Sequence, residues 1–497
     1  MNPFIPLSGH SVEPTSKNKL RRLSNLSILA LIGLLALNPR SQAQDDLTGS
    51  DLYNQACAQC HGATLQGGLA QSLSDALWQF GSSRSAIFRN IKYGISDFSM
   101  PAFEQALSDA QINRVIDYIM ASEKASGAVR PPIPSSVHTL DYEVKVETVA
   151  EGLDLPWAMD FLDASTALIT ERSGQLRLWA GGKLDSQPIK GLPEVLAEGQ
   201  GGLLDVSIHH SSTEEPWIYL SYSHAHQPAG QDKPLAMTRI IRGHLKGHQW
   251  TDQSIIYQAP EELYLGTRHH YGSRIVFDHK GHVLFSIGDR GLAEQAQDLS
   301  RPNGKVHRLK LDGSLPEDNP FVGVKGALPS LFTLGNRNPQ GLAVSPITGA
   351  LWAAEHGPMG GDELNLIRGG LNYGWPAITY GRNYDGASVS DFQRREGMQQ
   401  PALYWKPSIA VCGIDFVHQS AFERWNGKLL VAALKYEEVR LLDLESDRVM
   451  HQEIILKQVG RVRDVCSGPD GAVYIVTNGP DAILRLSPIR DNNAAAE

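Results

Sequence analysis

The stretch Ser273–Gly288, SRIVFDHKGHVLFSIG, decides the fold: an apolar strand, a polar turn holding Gly281, then a second apolar strand. The same degenerate unit recurs at Ala158–Trp179, Leu203–Tyr222, Gly341–Glu355, Gly413–Leu442 and Val462–Thr477. A strand–turn–strand unit cannot bury both faces alone, so repeats of it must pack on one another. Six such units predict a β-propeller of six blades, each a four-stranded sheet. A pair of sandwiches is the competing architecture, and it leaves the repeat period without a cause.

Outward from the repeats, the chain divides. Its 497 residues exceed the usual single domain, and 41% hydrophobic with 20% charged residues is a globular composition that excludes a multi-span membrane protein. A net charge of -9 argues against general nucleic-acid binding, which needs a basic face. At the N-terminus, Lys17, Lys19, Arg21 and Arg22 precede an apolar run from Leu26 to Leu37, followed by Ser41-Gln42-Ala43. The run is short for a membrane span and suits an export signal, so residues 1–43 are expected to direct the chain to the periplasm; an uncleaved anchor is the alternative.

From about Asp45 to Lys124 the pattern is helical, with a Ser108/Gln111 capping box ahead of Ile112, Val115, Ile116 and Ile119. Residues 125–138, rich in Pro, Ser and Ala, read as a linker, and residues 139–490 as the propeller. The expected fold is thus a small all-α domain followed by an all-β propeller.

Cys57-Ala-Gln-Cys60-His61 is a C-x-x-C-H motif, the spacing that attaches haem through two thioethers and ligates iron with the histidine. Zinc and a redox disulfide are the alternatives; zinc would need a second ligand pair, and none is visible before the linker, while the helical segment and the export signal both favour c-type haem. Met100, in Ser99-Met100-Pro101-Ala102-Phe103, is the expected sixth ligand, and Met120 reads more simply as helix core. The segment Asp51–Ser122 resembles a class I cytochrome c.

Polar clusters in the second domain have no evident folding role. They are Gly199–Leu204, His269–Arg274, Gly335–Gly341, Glu355–Pro358 with Asp362 and Glu363, Asn372–Pro376, Lys435 and Arg461–Asp464. Singly, His270 reads as well as a core histidine, and Arg461 with Arg463 as a solvated strand face. Spread over several blades, they could meet at one end of a central channel.

In order and wording these clusters resemble the soluble aldose sugar dehydrogenases, the pyrroloquinoline quinone (PQQ) enzymes related to soluble glucose dehydrogenase. The resemblance covers nearly all of Leu140–Pro488 and implies His270 as general base and Arg337 as a catalytic cation. It implies a PQQ cradle of Gln200, Arg337, Asn338, Tyr384, Lys435, Arg461 and Arg463. It implies Ca²⁺ on the carbonyls of Gly357 and Pro358, and a second calcium at Glu363 and the Tyr373 carbonyl. The chemistry is consistent: a tricarboxylate quinone needs several cations, and hard carbonyl oxygens suit calcium.

The reading is therefore a periplasmic quinohaemoprotein that oxidises aldoses to lactones and passes electrons to its haem c, then to another cytochrome or a membrane oxidase. A PQQ dehydrogenase for another alcohol and a calcium-dependent propeller lactonase are alternatives, as is a propeller that senses sugar without catalysis. Cys412 and Cys466 are expected to be two single thiols, with a disulfide between neighbouring blades as the other reading.

Overall fold

The computed structural model describes residues 47–78, 80–95, 100–211 and 215–489. The expected export signal lies outside these residues. Among the described residues no helix is long and apolar enough to cross a membrane.

Four helices precede the sheets: α1 (Gly49–Ala56), α2 (Ala58–His61), α3 (Arg84–Tyr93) and α4 (Asp109–Ser126). The capping box read at Ser108 is present, with both reciprocal bonds formed. Ile112, Val115, Ile116 and Ile119 face a core shared with Leu52, Tyr53, Ile87 and Ile91. Met120, expected in that core, lies on the outer face of α4 and is exposed. The helical period settles this, because Met120 follows Ile119 and so turns away from the buried stripe.

Six antiparallel sheets follow, and their innermost strands are Pro156–Phe161, Leu203–His209, Ile275–Phe277, Pro339–Val344, Val411–Phe416 and Arg461–Ser467. These strands pack side by side in sequence order, and the last meets the first, closing a ring around a channel. Each blade interface has its own apolar cluster, with Trp157, Trp352 and Trp425 fully buried. The six units read from the repeat are the inner pairs of these six blades.

Two blades depart from the expected four strands. The third has three strands. The sixth has five, because Ser136–His138 and Glu143–Ala150 join its outer edge beside Ala482–Pro488. The segment expected as linker thus ends in a strand. This exchange ties the start of the propeller to its end, and no local pattern announces it.

The inner strands begin at one end of the channel. There, in five of the six blades, the pairing register slips: at Pro156/Ala158, Leu203/Val206, Pro339/Gly341, Val411/Ile414 and Val462/Asp464. Such bulges twist a strand and re-aim its side chains. Strands also crowd here: a Cβ on Gly341 would stand 2.3 Å from the Cys412 carbonyl oxygen, so only glycine fits. Further along, the channel widens into a cavity of about 370 Å³ lined by Asp160, Asp205, Asp415, Asp464 and Arg274.

Candidate active site

Seven of the propeller residues read from the sequence sit at the bulged end. Gln200, His270, Arg337 and Asn338 come just before innermost strands, and Arg461 starts one. Gly357 and Lys435 follow second strands. Because the second strand of each blade runs antiparallel to the first, its end returns to the same face. The ring therefore assembles six separate segments into one site.

His270 is buried, with a left-handed φ of 55°. Its backbone N–H donates to Gln200 Oε1 at 2.9 Å. Neighbouring Gly272 donates to Asn338 Oδ1 at 3.1 Å. A non-glycine residue in this conformation costs about 1–3 kcal/mol and persists where surrounding bonds enforce it. His270 Nδ1 lies 2.7 Å from Asp289 Oδ1. Asp289 also accepts from Gly291 N and Trp375 Nε1. Burial alone would raise the Asp289 carboxyl, but the His270 imidazole and the Arg337 guanidinium outweigh it and hold it at about 2. The carboxylate thus stays ionised and fixes Nδ1–H as the donor, which leaves the ring's proton-accepting lone pair on Nε2.

Beside this pair stands a group of cations. Burial pushes His356 well below its ordinary range, and the charges of Arg337, Arg463, His270 and Arg461 then push it further. Burial and adjacent Arg463 also pull Arg461 down to about 9. A guanidinium keeps its charge in a protein, so this is a charge held in place at a cost. Arg463 donates to neutral groups, Asn478 Oδ1, Gln340 Oε1 and Cys412 Sγ. Arg337 Nη1 donates to the carbonyls of His356 and Gly357, while its Nε is buried without a partner. Arg172 adds a further cation, bound to the carbonyls of Gly199 and Gly201. A multiply charged anion fits this set.

Gly357 O accepts from Arg337 Nη1 at 2.8 Å and Pro358 O from Ser408 Oγ at 3.1 Å. Each carbonyl has a second lone pair to offer a hard cation. Glu363 and Glu355 flank Asn365, whose Nδ2 donates to both. Burial, then Glu355, pushes Glu363 up to about 8. Together with Tyr373 they line a small enclosed space, and two buried carboxylates sharing one amide suit a divalent ion. Among the described residues no three His, Cys, Asp or Glu side chains are placed to hold a metal, so a cation here would depend on backbone carbonyls as well.

In the helical domain Cys57 joins α1 to α2, and His61 ends α2. His61 Nδ1 lies 2.8 Å from the Gln71 carbonyl oxygen, the outer-shell bond that orients a metal-ligating histidine. Met100 packs on the same cluster as Cys57. These residues fit a covalently held haem.

Other expectations fare differently. Lys435 is at the rim, exposed, with Nζ 5.6 Å from the Tyr436 ring centroid. Tyr384 is 52% exposed, on a loop between Arg382 and Ser388 that pairs with Met359. Cys412 and Cys466 are unbonded single thiols, so the disulfide reading is set aside. The sequence reading missed Asp289, Arg172 and His356 as site residues. Asp289 and Arg172 could have been suspected, since each follows the second strand of its unit directly, where the paired strand ends return to the site.

A closed six-bladed propeller with a buried histidine–carboxylate pair beside clustered arginines is the architecture of a sugar oxidoreductase. The chain belongs to the Glucose / Sorbosone dehydrogenase family, which residues 153–486 match. Residues 44–119 match the family of cbb3-type cytochrome c oxidase subunit III. The aldose sugar dehydrogenase of Escherichia coli (strain K12) is 41% identical over 353 residues, covering 69% of this chain and 93% of the relative. The crystal structure of the soluble E. coli aldose sugar dehydrogenase in its apo-form superposes with a TM-score of 0.65 at 39% identity, over 70% of this chain and all of that one. Quinoprotein glucose dehydrogenase B of Acinetobacter calcoaceticus is 32% identical over 268 residues, 49% of this chain and 54% of the relative.

Proposed function

We propose that this protein oxidises aldose sugars to lactones in the periplasm with PQQ and Ca²⁺, and passes the electrons to a haem c carried by its own all-α cytochrome domain. The observation that carries the reading is the set of arginines at one end of the channel, Arg337 bonded to the His356 and Gly357 carbonyls and Arg461 with Arg463 opening the sixth inner strand, at the end that also holds the His270–Asp289 pair. Such a concentration of positive charge calls for a polyanion, and PQQ carries three carboxylates. When bound, PQQ supplies a two-electron quinone acceptor, and Ca²⁺ on the Gly357 and Pro358 carbonyls would polarise it.

The protein's part follows from its residues. His270 Nε2 accepts the proton of the sugar C1 hydroxyl, and Asp289 stabilises the imidazolium that results. Arg337 would offset the negative charge that the quinone gains as it accepts the hydride. Gln200 and Asn338 hold the His270 loop in its left-handed conformation. Arg461, Arg463 and Lys435 bind carboxylates. Glu363, Glu355 and the Tyr373 carbonyl would hold a structural calcium. Cys57, Cys60, His61 and Met100 would attach and ligate haem, whose one-electron chemistry requires two successive transfers per sugar. A lactonase would need neither the arginines nor a haem.

The test is an optical titration. Apo-protein loaded with PQQ and Ca²⁺ should show haem reduction on addition of an aldose, and NAD should not substitute, since no G-x-G-x-x-G follows a strand. Haem that stays oxidised across a panel of aldoses would overturn the proposal.

A further inference from the structure

The helical domain sits on the propeller at the site end. Ser83 and Ser85, at the N-terminus of α3, donate their hydroxyls to Asp154 Oδ1 at 2.8 and 2.9 Å. Arg89 Nη1 lies 3.5 Å from Asp154 Oδ2. A carboxylate at a helix N-terminus is favoured by the backbone dipole. Asp154 is itself fixed, its N–H donating to Glu171 Oε1 at 2.8 Å. On the opposite side of the mouth, Lys233 on the site-end loop of the second blade pairs with Glu104. Arg130 pairs with Glu437 of the fifth blade at 2.6 Å.

Between these anchors the two surfaces meet without room for a side-chain carbon. A Cβ on Gly479 of the sixth blade would stand 2.3 Å from the Trp78 carbonyl oxygen. A Cβ on Gly81 would stand 2.5 Å from Leu155 Cδ2. In the gap so formed, the Phe80 ring covers Arg461, with 4.8 Å between its centroid and the guanidinium carbon. The contacts fall on the first, second, fifth and sixth blades, and Arg461 of the cradle lies on the sixth.

Resting on the reading above, we propose that the cytochrome domain is the roof of the sugar site and restricts it to short aldoses, with Phe80 as a substrate-positioning residue beneath it. An aromatic face over a charged guanidinium excludes water from that side and offers a platform to the C–H face of a pyranose. A sugar extended by several further units would have to pass through the docked domain. The electron acceptor thus also sets specificity.

The test compares D-glucose with maltohexaose, which share the same reacting C1 and differ in length, in the full-length haem protein loaded with PQQ and Ca²⁺ and assayed with a small dye. The unaltered protein should favour glucose in kcat/KM by ~10-fold or more, a ratio that pocket shape can sustain. The undocking variant Asp154→Lys should bring maltohexaose to within a few-fold of glucose, whereas Phe80→Ala, in which the domain stays docked, should keep the preference for glucose but raise its KM several-fold. Small-angle X-ray scattering of the PQQ-free proteins adds a readout independent of turnover: Asp154→Lys should be more extended than the unaltered protein, and Phe80→Ala should not. Equal use of both sugars by the unaltered protein would overturn the roof. So would an unchanged ratio in Asp154→Lys, and an unchanged KM for glucose in Phe80→Ala would overturn the positioning role of that ring. Absence of PQQ-dependent glucose oxidation in the unaltered protein would instead overturn the proposed function.

Discussion

His270 and Asp289 form a buried imidazole–carboxylate pair, Nδ1 to Oδ1 at 2.7 Å, between two loops that leave the third blade at the same end. The pair gives the histidine one tautomer and a stabilised charged form, the two properties a general base needs.

Asp289→Asn should therefore retain PQQ binding but lose roughly 10²–10⁴-fold in kcat, because the amide no longer stabilises the imidazolium. His270→Ala should lose a similar factor, and the double variant little more, since the two act as one unit. Steady-state dye reduction by an aldose, with PQQ binding measured in parallel, checks both. An Asp289→Asn protein with full activity would place the orienting group elsewhere.

Arg461 is buried against Arg463, and burial and that neighbour lower its affinity for its proton. Arg461→Met should raise the melting temperature of PQQ-free protein while weakening PQQ binding by ~10-fold or more, since it removes an opposed charge from the empty cradle and an attractive one from the filled cradle. Thermal scans with and without PQQ plus Ca²⁺ would show opposite signs.

For the haem, Met100→Ala should lower the reduction potential and abolish the sulfur-to-iron charge-transfer band. Met120→Ala should do neither, because Met120 is on the outer face of α4. Acid-acetone should leave the pigment on the protein in every variant that keeps Cys57 and Cys60.

The channel cavity sets a pH dependence. Burial pushes Asp160 and Asp205 up to about 7 and Asp415 up to about 6. Each folded value lies above the unfolded one of ~3.9, so the contribution to stability is complete below that value and is lost as pH rises through the folded value. The melting temperature should fall between pH 4 and about 7 through these groups. Asp415→Asn, whose side-chain oxygen can still accept from Ser467 N, should flatten the lower part of that fall. A pH profile identical to that of the unaltered protein would remove Asp415 from the account.

Several features were legible before any coordinates because their causes are local. The strand–turn–strand period at Ser273–Gly288 follows from the pleat and from turn chemistry, and C-x-x-C-H needs only one helical turn to bring its three side chains together. Arg337, Arg461 and Arg463 stood out as cations with no folding role, and the ring brings them together. What the sequence could not supply were relations made by closure. Asp289 reaches His270 because antiparallel strands return to one face, and His356 comes under the charges of Arg461 and Arg463 only once the fourth and sixth blades meet around the channel. The extra strands Ser136–His138 and Glu143–Ala150 join the last blade through backbone bonds that any apolar strand could make, so nothing in their residues names the partner. The seating of Phe80 over Arg461 belongs to the same class: it arises from two surfaces 381 residues apart in chain order that glycines at 81 and 479 allow to touch. The amino-acid sequence by itself determined the blades, the haem motif and the charges, all short-range consequences of residue type; the tertiary structure alone decided which of them share a site, because that depends on where the ring closes.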